Sequence, residues 1–173
     1  MKIKKKNILI LLFIITTLLI TGCIKREKII FDGEEGSLTF NIKNIKNYKL
    51  SNDKKDLRSS REQGILIGNE FKIGIEFDDT FNYFFKSDFE KLKKERKDYK
   101  DYKEIEYSGL KGIQYFYEGY MRYEIVLQLE QDKEHTLVLT IYGNEDNEKS
   151  AKETINNKKV QDILNNMTDI KGK

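Results

Sequence analysis

Residues 122–143 read RYEIVLQLEQDKEHTLVLTIYG. Tyr123, Ile125, Leu127 and Leu129 recur every second residue, with Glu124, Gln128 and Glu130 between them. Leu137, Leu139 and Ile141 repeat the pattern up to Gly143-Asn144. A period of two is the signature of a strand with two unlike faces. The intervening Gln131-Asp132-Lys133-Glu134 is too short for a crossover, so the two strands form a hairpin. Upstream, Ile105 and Tyr107 precede a turn at Ser108-Gly109, and Ile113, Tyr115 and Tyr117 precede one at Gly119. The whole stretch therefore predicts an antiparallel meander. Its apolar face is packed, Leu127 included, and its Glu124 face is partly wet.

Earlier strands carry the same signal. Leu38, Phe40 and Ile42 alternate in SLTFNIK, Phe71, Ile73, Ile75 and Phe77 in FKIGIEF, and GILIG leads into the latter through Gly68-Asn69. Ser51 to Gln63, SNDKKDLRSSREQ, lacks any period and reads as an exposed loop. Two helices are signalled by capping-box patterns, Ser87-Asp88-Phe89-Glu90 and Ser150-Ala151-Lys152-Glu153. The first continues with Phe89, Leu92, Arg96 and Tyr99 on one side. Val160, Ile163, Leu164 and Met167 then follow the i, i+3, i+4, i+7 spacing of one helix face. Ile155 lies off that face, so a break is expected near Asn156-Asn157, with the last helix starting close to Lys158 and crossing the meander. The order of elements predicts an α+β fold, an antiparallel sheet packed by helices.

The N-terminus reads as an address. Lys2, Lys4, Lys5 and Lys6 precede an apolar run from Ile8 to Ile20, broken only by Thr16 and Thr17. Thirteen helical residues span about 20 Å, short of the roughly 30 Å hydrocarbon core. Ile20-Thr21-Gly22-Cys23 follows, and it resembles a bacterial lipobox. That resemblance implies cleavage before Cys23 and a diacylglyceryl group on its thiol. The expected organisation is a signal peptide over 1–22, a lipidated Cys23 with a short tether over 23–28, and a single domain over 29–173. The implied place is the outer face of the cell membrane.

Removal of the four signal lysines leaves 28 basic against 29 acidic side chains, a net of −1. A nucleic-acid binder keeps a one-sided basic patch, and here the signs alternate, so no nucleic-acid partner is expected. Cys23 is the sole cysteine, which excludes a disulfide framework, and with one His there is no Cys/His zinc set.

The early strands, the helix, the meander with its Gly109-Leu110-Lys111-Gly112 turn and the closing VQDILNNM from Val160 to Met167 together resemble the PsbP-like fold. The resemblance covers roughly 37–170 and implies a binding or assembly role with no catalytic residues to carry over. Where the family has a turn Pro after the first strand, Lys43 follows Ile42. Cystatin-like and lipoprotein-carrier folds remain open alternatives.

Catalytic signals are sparse. His135 stands alone beside a polar turn, and nucleophilic catalysis needs a base with an orienting acid. Asp78-Asp79 and Asn144-Glu145-Asp146-Asn147-Glu148 group carboxylates without EF-hand spacing. The expectation is no enzyme, no metal and no cofactor. Aromatics are the surplus: Tyr83, Phe84, Phe85, Tyr99, Tyr102, Tyr107, Tyr115, Phe116, Tyr117, Tyr120 and Tyr123 crowd one region. Successive side chains on a strand point to opposite faces. Tyr115, Phe116, Tyr117 and Tyr120 are therefore a candidate binding surface, unless a helix covers the second face. The expected function is a surface-anchored binding or assembly lipoprotein with a protein or cell-wall partner. A glycan or small-ligand module is the alternative, and a carboxylate-only hydrolase comes after it.

Overall fold

The computed structural model describes residues 26–78, 89–129 and 136–173. The expected signal segment and lipobox with Cys23, Asp79, the Tyr83-Phe84-Phe85 run, Ser87 and Asp88 of the expected capping box, the expected Gln131–Glu134 turn and His135 lie outside the described residues.

The described residues form ten strands in two antiparallel sheets, with three α-helices. The strands are β1 (Glu27–Asp32), β2 (Gly36–Ile42), β3 (Lys49–Ser51), β4 (Gly64–Ile67), β5 (Lys72–Asp78), β6 (Lys103–Tyr107), β7 (Leu110–Tyr117), β8 (Arg122–Gln128), β9 (Thr136–Tyr142) and β10 (Met167–Gly172). The helices are α1 (Phe89–Arg96), α2 (Glu148–Ile155) and α3 (Lys158–Leu164). One sheet runs β3-β4-β5-β9-β8-β7-β6 and the other β1-β2-β10. The α+β class and the β6–β9 meander are as the sequence predicts. Glu27 and Lys28, assigned above to the tether, already belong to β1.

The alternating residues build the core. Register aligns Ile75 with Leu139 and Leu139 with Ile125, so one face of the large sheet is a continuous apolar layer. Phe31, Leu38, Phe40 and Ile42 of the small sheet close over it, with Phe31 stacked on Phe77 at 6.1 Å. Ala151, Ile155, Val160, Ile163 and Leu164 from α2 and α3 fill the rest. Burying a side chain of this kind is worth about 1.5–3 kcal/mol.

The helix break falls at Asn156 and Asn157, and α3 starts at Lys158, as the off-face Ile155 predicts. Three expectations are corrected. Asn147, not Ser150, caps α2: its Oδ1 accepts from the Ser150 amide at 2.8 Å. Met167 is buried as the first residue of β10 rather than as the last of a helix face. α3 packs chiefly on β2, while α2 packs on β8 and β9. At the end of α3 the Ser108 hydroxyl donates to the Leu164 carbonyl at 2.8 Å and accepts from the Met167 amide at 2.9 Å. Ser108 and Gly109 both have positive φ, 53° and 81°, the geometry of a tight hairpin turn that glycine permits at no steric cost.

The Glu124 face is not wet. Leu92 of α1, with Phe89 and Tyr99, sits on Ile113, Tyr115, Val126 and Val138. The 52–63 loop covers the same face further along. Glu62, 5% exposed, accepts from the Tyr142 hydroxyl and from the Arg58 amide. A Cβ at Gly74 would overlap the Glu62 carboxylate, so a side chain there would have to displace Glu62. Most of residues 52–61 are exposed, as the sequence reading expects, while Glu62 is buried over β5 and β9.

Candidate functional site

The candidate aromatic surface divides on folding. Tyr115 and Phe116 are each 1% exposed, on opposite faces of β7, and are withdrawn from the surface expectation. Tyr115 is covered by Tyr99 at 5.2 Å, edge to face, and Phe116 packs in the main core beside Tyr123. Tyr117 is half-buried and Tyr120 is 63% exposed.

What remains is the tip of the β7–β8 connection. A single 3-10 turn, Glu118–Tyr120, ends at Met121 with φ 47° and ψ 45°. A left-handed conformation costs a non-glycine residue roughly 1–2 kcal/mol. That strain holds two large apolar groups, Tyr120 and the 42% exposed Met121, out to solvent. Tyr117 and Tyr120 lie 5.2 Å apart, and the Arg122 guanidinium carbon is 4.8 Å from the Tyr120 ring centre. Beside the tip is a hollow of about 600 Å³, lined by Asp98, Tyr99, Lys100, Phe116, Tyr117 and the Glu118-Gly119 turn.

Buried charge fixes this ledge from below. Arg122 Nη2 donates to Glu124 Oε1 at 2.7 Å and Nη1 to the Tyr142 hydroxyl at 3.2 Å. The Tyr115 hydroxyl donates to Glu124 Oε2 at 2.6 Å. Burial and then the Glu124 charge raise the Tyr115 pKa, keeping its proton on. Burial opposes the charge of Arg122, but Glu124 and the hydrogen bonds outweigh it and its pKa is raised. The rings of Tyr117 and Tyr120 therefore flank a cation hydrogen-bonded to Glu124 and Tyr142.

The other candidates are engaged in the fold. Asp78 and Glu76 share Arg61, each at 2.7 Å. Burial, despite the Arg61 charge, pushes the Glu76 carboxyl up to about 7. In the 144–148 cluster Asn147 caps α2, Asp146 pairs with Arg58 at 2.7 Å and Glu148 with Lys100 at 2.7 Å. The described residues contain no group of three or more His, Cys, Asp or Glu side chains placed to hold a metal ion.

Sequence reasoning missed Arg122 and Glu124 as parts of the site. The hairpin register contained the signal, since it sets Tyr117 opposite Arg122 and Tyr115 opposite Glu124. The chain matches no family model, and no curated protein and no solved structure matches it. None of the helices in the described residues is long and apolar enough to cross a membrane.

Proposed function

We propose that the chain is a lipid-anchored, non-catalytic binding or assembly protein on the outer face of the cell membrane, held by Cys23. It meets its partner with Tyr117, Tyr120 and Arg122. The observation that carries this reading is the β7–β8 tip, where a strained Met121 keeps Tyr120 exposed against a guanidinium fixed by Glu124. Tyr and Arg are, with Trp, the residue types enriched at binding hot spots. The buried carboxylates Glu62, Glu76, Asp78 and Glu124 each hold an Arg or Tyr partner, an arrangement suited to a scaffold. The finer fold assignment belongs to the same proposal: a PsbP-like sandwich, supported by the order of helix, meander and Lys158–Leu164 helix and by the Ser108-Gly109 turn that caps it.

A second reading, a glycan or small-ligand module at the cell wall, is favoured by the hollow of about 600 Å³ that opens beside Tyr117. Tyr117 and Tyr120, tilted against each other next to a concave polar rim, offer a sugar both an apolar platform and hydrogen bonds.

Each half of the proposal has its test. Labelling with a palmitate analogue should be lost in Cys23→Ala, and undiminished label would refute the anchor. A photocrosslinking residue at position 120 of the intact lipoprotein should give a discrete protein adduct, or wall fragments under the second reading. The same substitution at exposed Glu153 should give neither, and equal adducts at both positions would refute the ledge.

A further inference from the structure

A second hollow, of about 440 Å³, lies where the chain enters the domain. Ile42, Phe71 and Ile163 line it, each nearly fully buried. Its rim carries Lys43, Lys158, Lys159 and the side chains of Asn47, Tyr48 and Asn157. Both rim carboxylates have a cation: Glu70 pairs with Lys159 at 3.1 Å and Asp162 with Arg26 at 2.8 Å. Among the described residues no carboxylate pairs with Lys43 or Lys158, so the rim carries uncompensated positive charge.

Arg26 fixes where that rim stands. Its guanidinium donates to the Asn41 carbonyl at 3.3 Å and to Asp162 Oδ1 at 2.8 Å, which pins the start of the domain to the edge of the hollow. Three peptide units separate Arg26 from Cys23 and reach at most about 11 Å. A lipid on Cys23 therefore holds this mouth next to the bilayer. The ledge at Tyr120 belongs to the other face of the large sheet.

We propose that the hollow edged by Lys43 and Lys158 seats the phosphate of an anionic phospholipid headgroup in the membrane that carries the anchor. The lysines and amides of the rim take the phosphodiester, and the apolar floor takes the glycerol carbons. The inference rests on the lipid-anchor reading, and it gives the domain one orientation: α3 and the β2 end down, the outer sheet face away. A lysine at an anionic surface contributes roughly fivefold in affinity, so two to three of them orient a domain that is already tethered.

The test uses the intact lipoprotein inserted into vesicles of phosphatidylcholine alone, or of phosphatidylcholine with about one part in three phosphatidylglycerol. Lysine acetylation rates are read residue by residue by mass spectrometry. Lys43 and Lys158 should react roughly fivefold more slowly on the anionic vesicles. Lys94 and Lys97, on and just after α1, should be unchanged. In Lys43→Glu/Lys158→Glu the protection read at Lys159 should vanish, while flotation with phosphatidylcholine vesicles persists. Flotation scores the anchor and acetylation scores the seat, so the two failures differ: no flotation defeats the anchor reading. Equal rates on both vesicles with flotation intact overturn the headgroup seat. Equal protection by soluble glycerol phosphate on phosphatidylcholine vesicles also overturns it, in favour of a soluble ligand.

Discussion

Replacing Glu124 by Ala should destabilise the domain about as much as replacing core Leu127, although its place on the polar side of β8 suggests a surface residue. The carboxylate is 8% exposed, and its partner Arg122 has a side chain only 11% exposed. Removing it leaves a mostly buried guanidinium without its counter-charge, an effect of about 3–5 kcal/mol. Tyr115, a residue only 1% exposed, also loses the acceptor of its hydroxyl, worth about 1–3 kcal/mol. Arg122 keeps its bond to Tyr142 and lies near the exposed tip, which points to the low ends of both, about 4 kcal/mol in total. Leu127→Ala, at a fully buried position, costs about 2–5 kcal/mol. Urea melts of the soluble fragment beginning at residue 24 measure both. A cycle with Tyr115→Phe should show coupling of about 0.5–3 kcal/mol, since the two side chains share one bond. A Glu124→Ala loss under about 1 kcal/mol, additive with Tyr115→Phe, would refute the account of the outer face as a buried ion-pair layer.

Ending the chain at Asp169 looks harmless from the sequence. It removes the Lys171–Ser37 and Gly172–Gly36 pairing, the Lys173 amide bond to Glu35 and the Lys173–Asp32 ion pair. A loss of about 2–4 kcal/mol in the same melts is expected, and an unchanged midpoint would count against β10. Ending at Asn157 removes α3 as well and should abolish cooperative unfolding; a monomeric product with an unchanged melt would show that α3 is dispensable to the core. The third prediction concerns pH. The Glu76 carboxyl is raised from 4.5 to about 7 in the fold, so the unfolded chain releases that proton first. Its contribution to stability is fully present below pH 4.5 and is lost as pH rises to about 7, by roughly 3 kcal/mol. Glu76→Gln should flatten that decline relative to the parent, and parallel stability–pH curves would refute the shift.

The meander and the start of α3 were readable because each is encoded locally. Period-two alternation sets strand faces, and the off-face Ile155 marks a break that Asn156 and Asn157 fulfil. β10 was not, because Thr168, Asp169 and Lys171 keep no alternation. Asp169 has φ 52° in a register shift, and the strand holds through backbone bonds to β2 with only Met167 buried. The covered outer face was hidden for another reason. Ile113, Val126 and Val138 become core only when α1 docks, and Glu62 sits in a segment whose composition is that of a solvated loop. Half of the site was legible. The aromatic surplus pointed to the β7–β8 hairpin, but which tyrosines face outward depended on the tertiary cover.

The small sheet has a consequence for load. β1 and β10 flank β2 and are both antiparallel to it, so they run the same way. The described chain begins at the start of β1, and β10 ends on the far side, where Lys173 donates to Asp32 and the Gly33 carbonyl. Tension between an anchored N-terminus and anything holding the C-terminus would draw β1 one way and β10 the other along the strand axis. Such a pull shears the ladders, loading their hydrogen bonds together instead of opening them one by one. The geometry makes the small sheet a shear-loaded link between the two ends of the described domain.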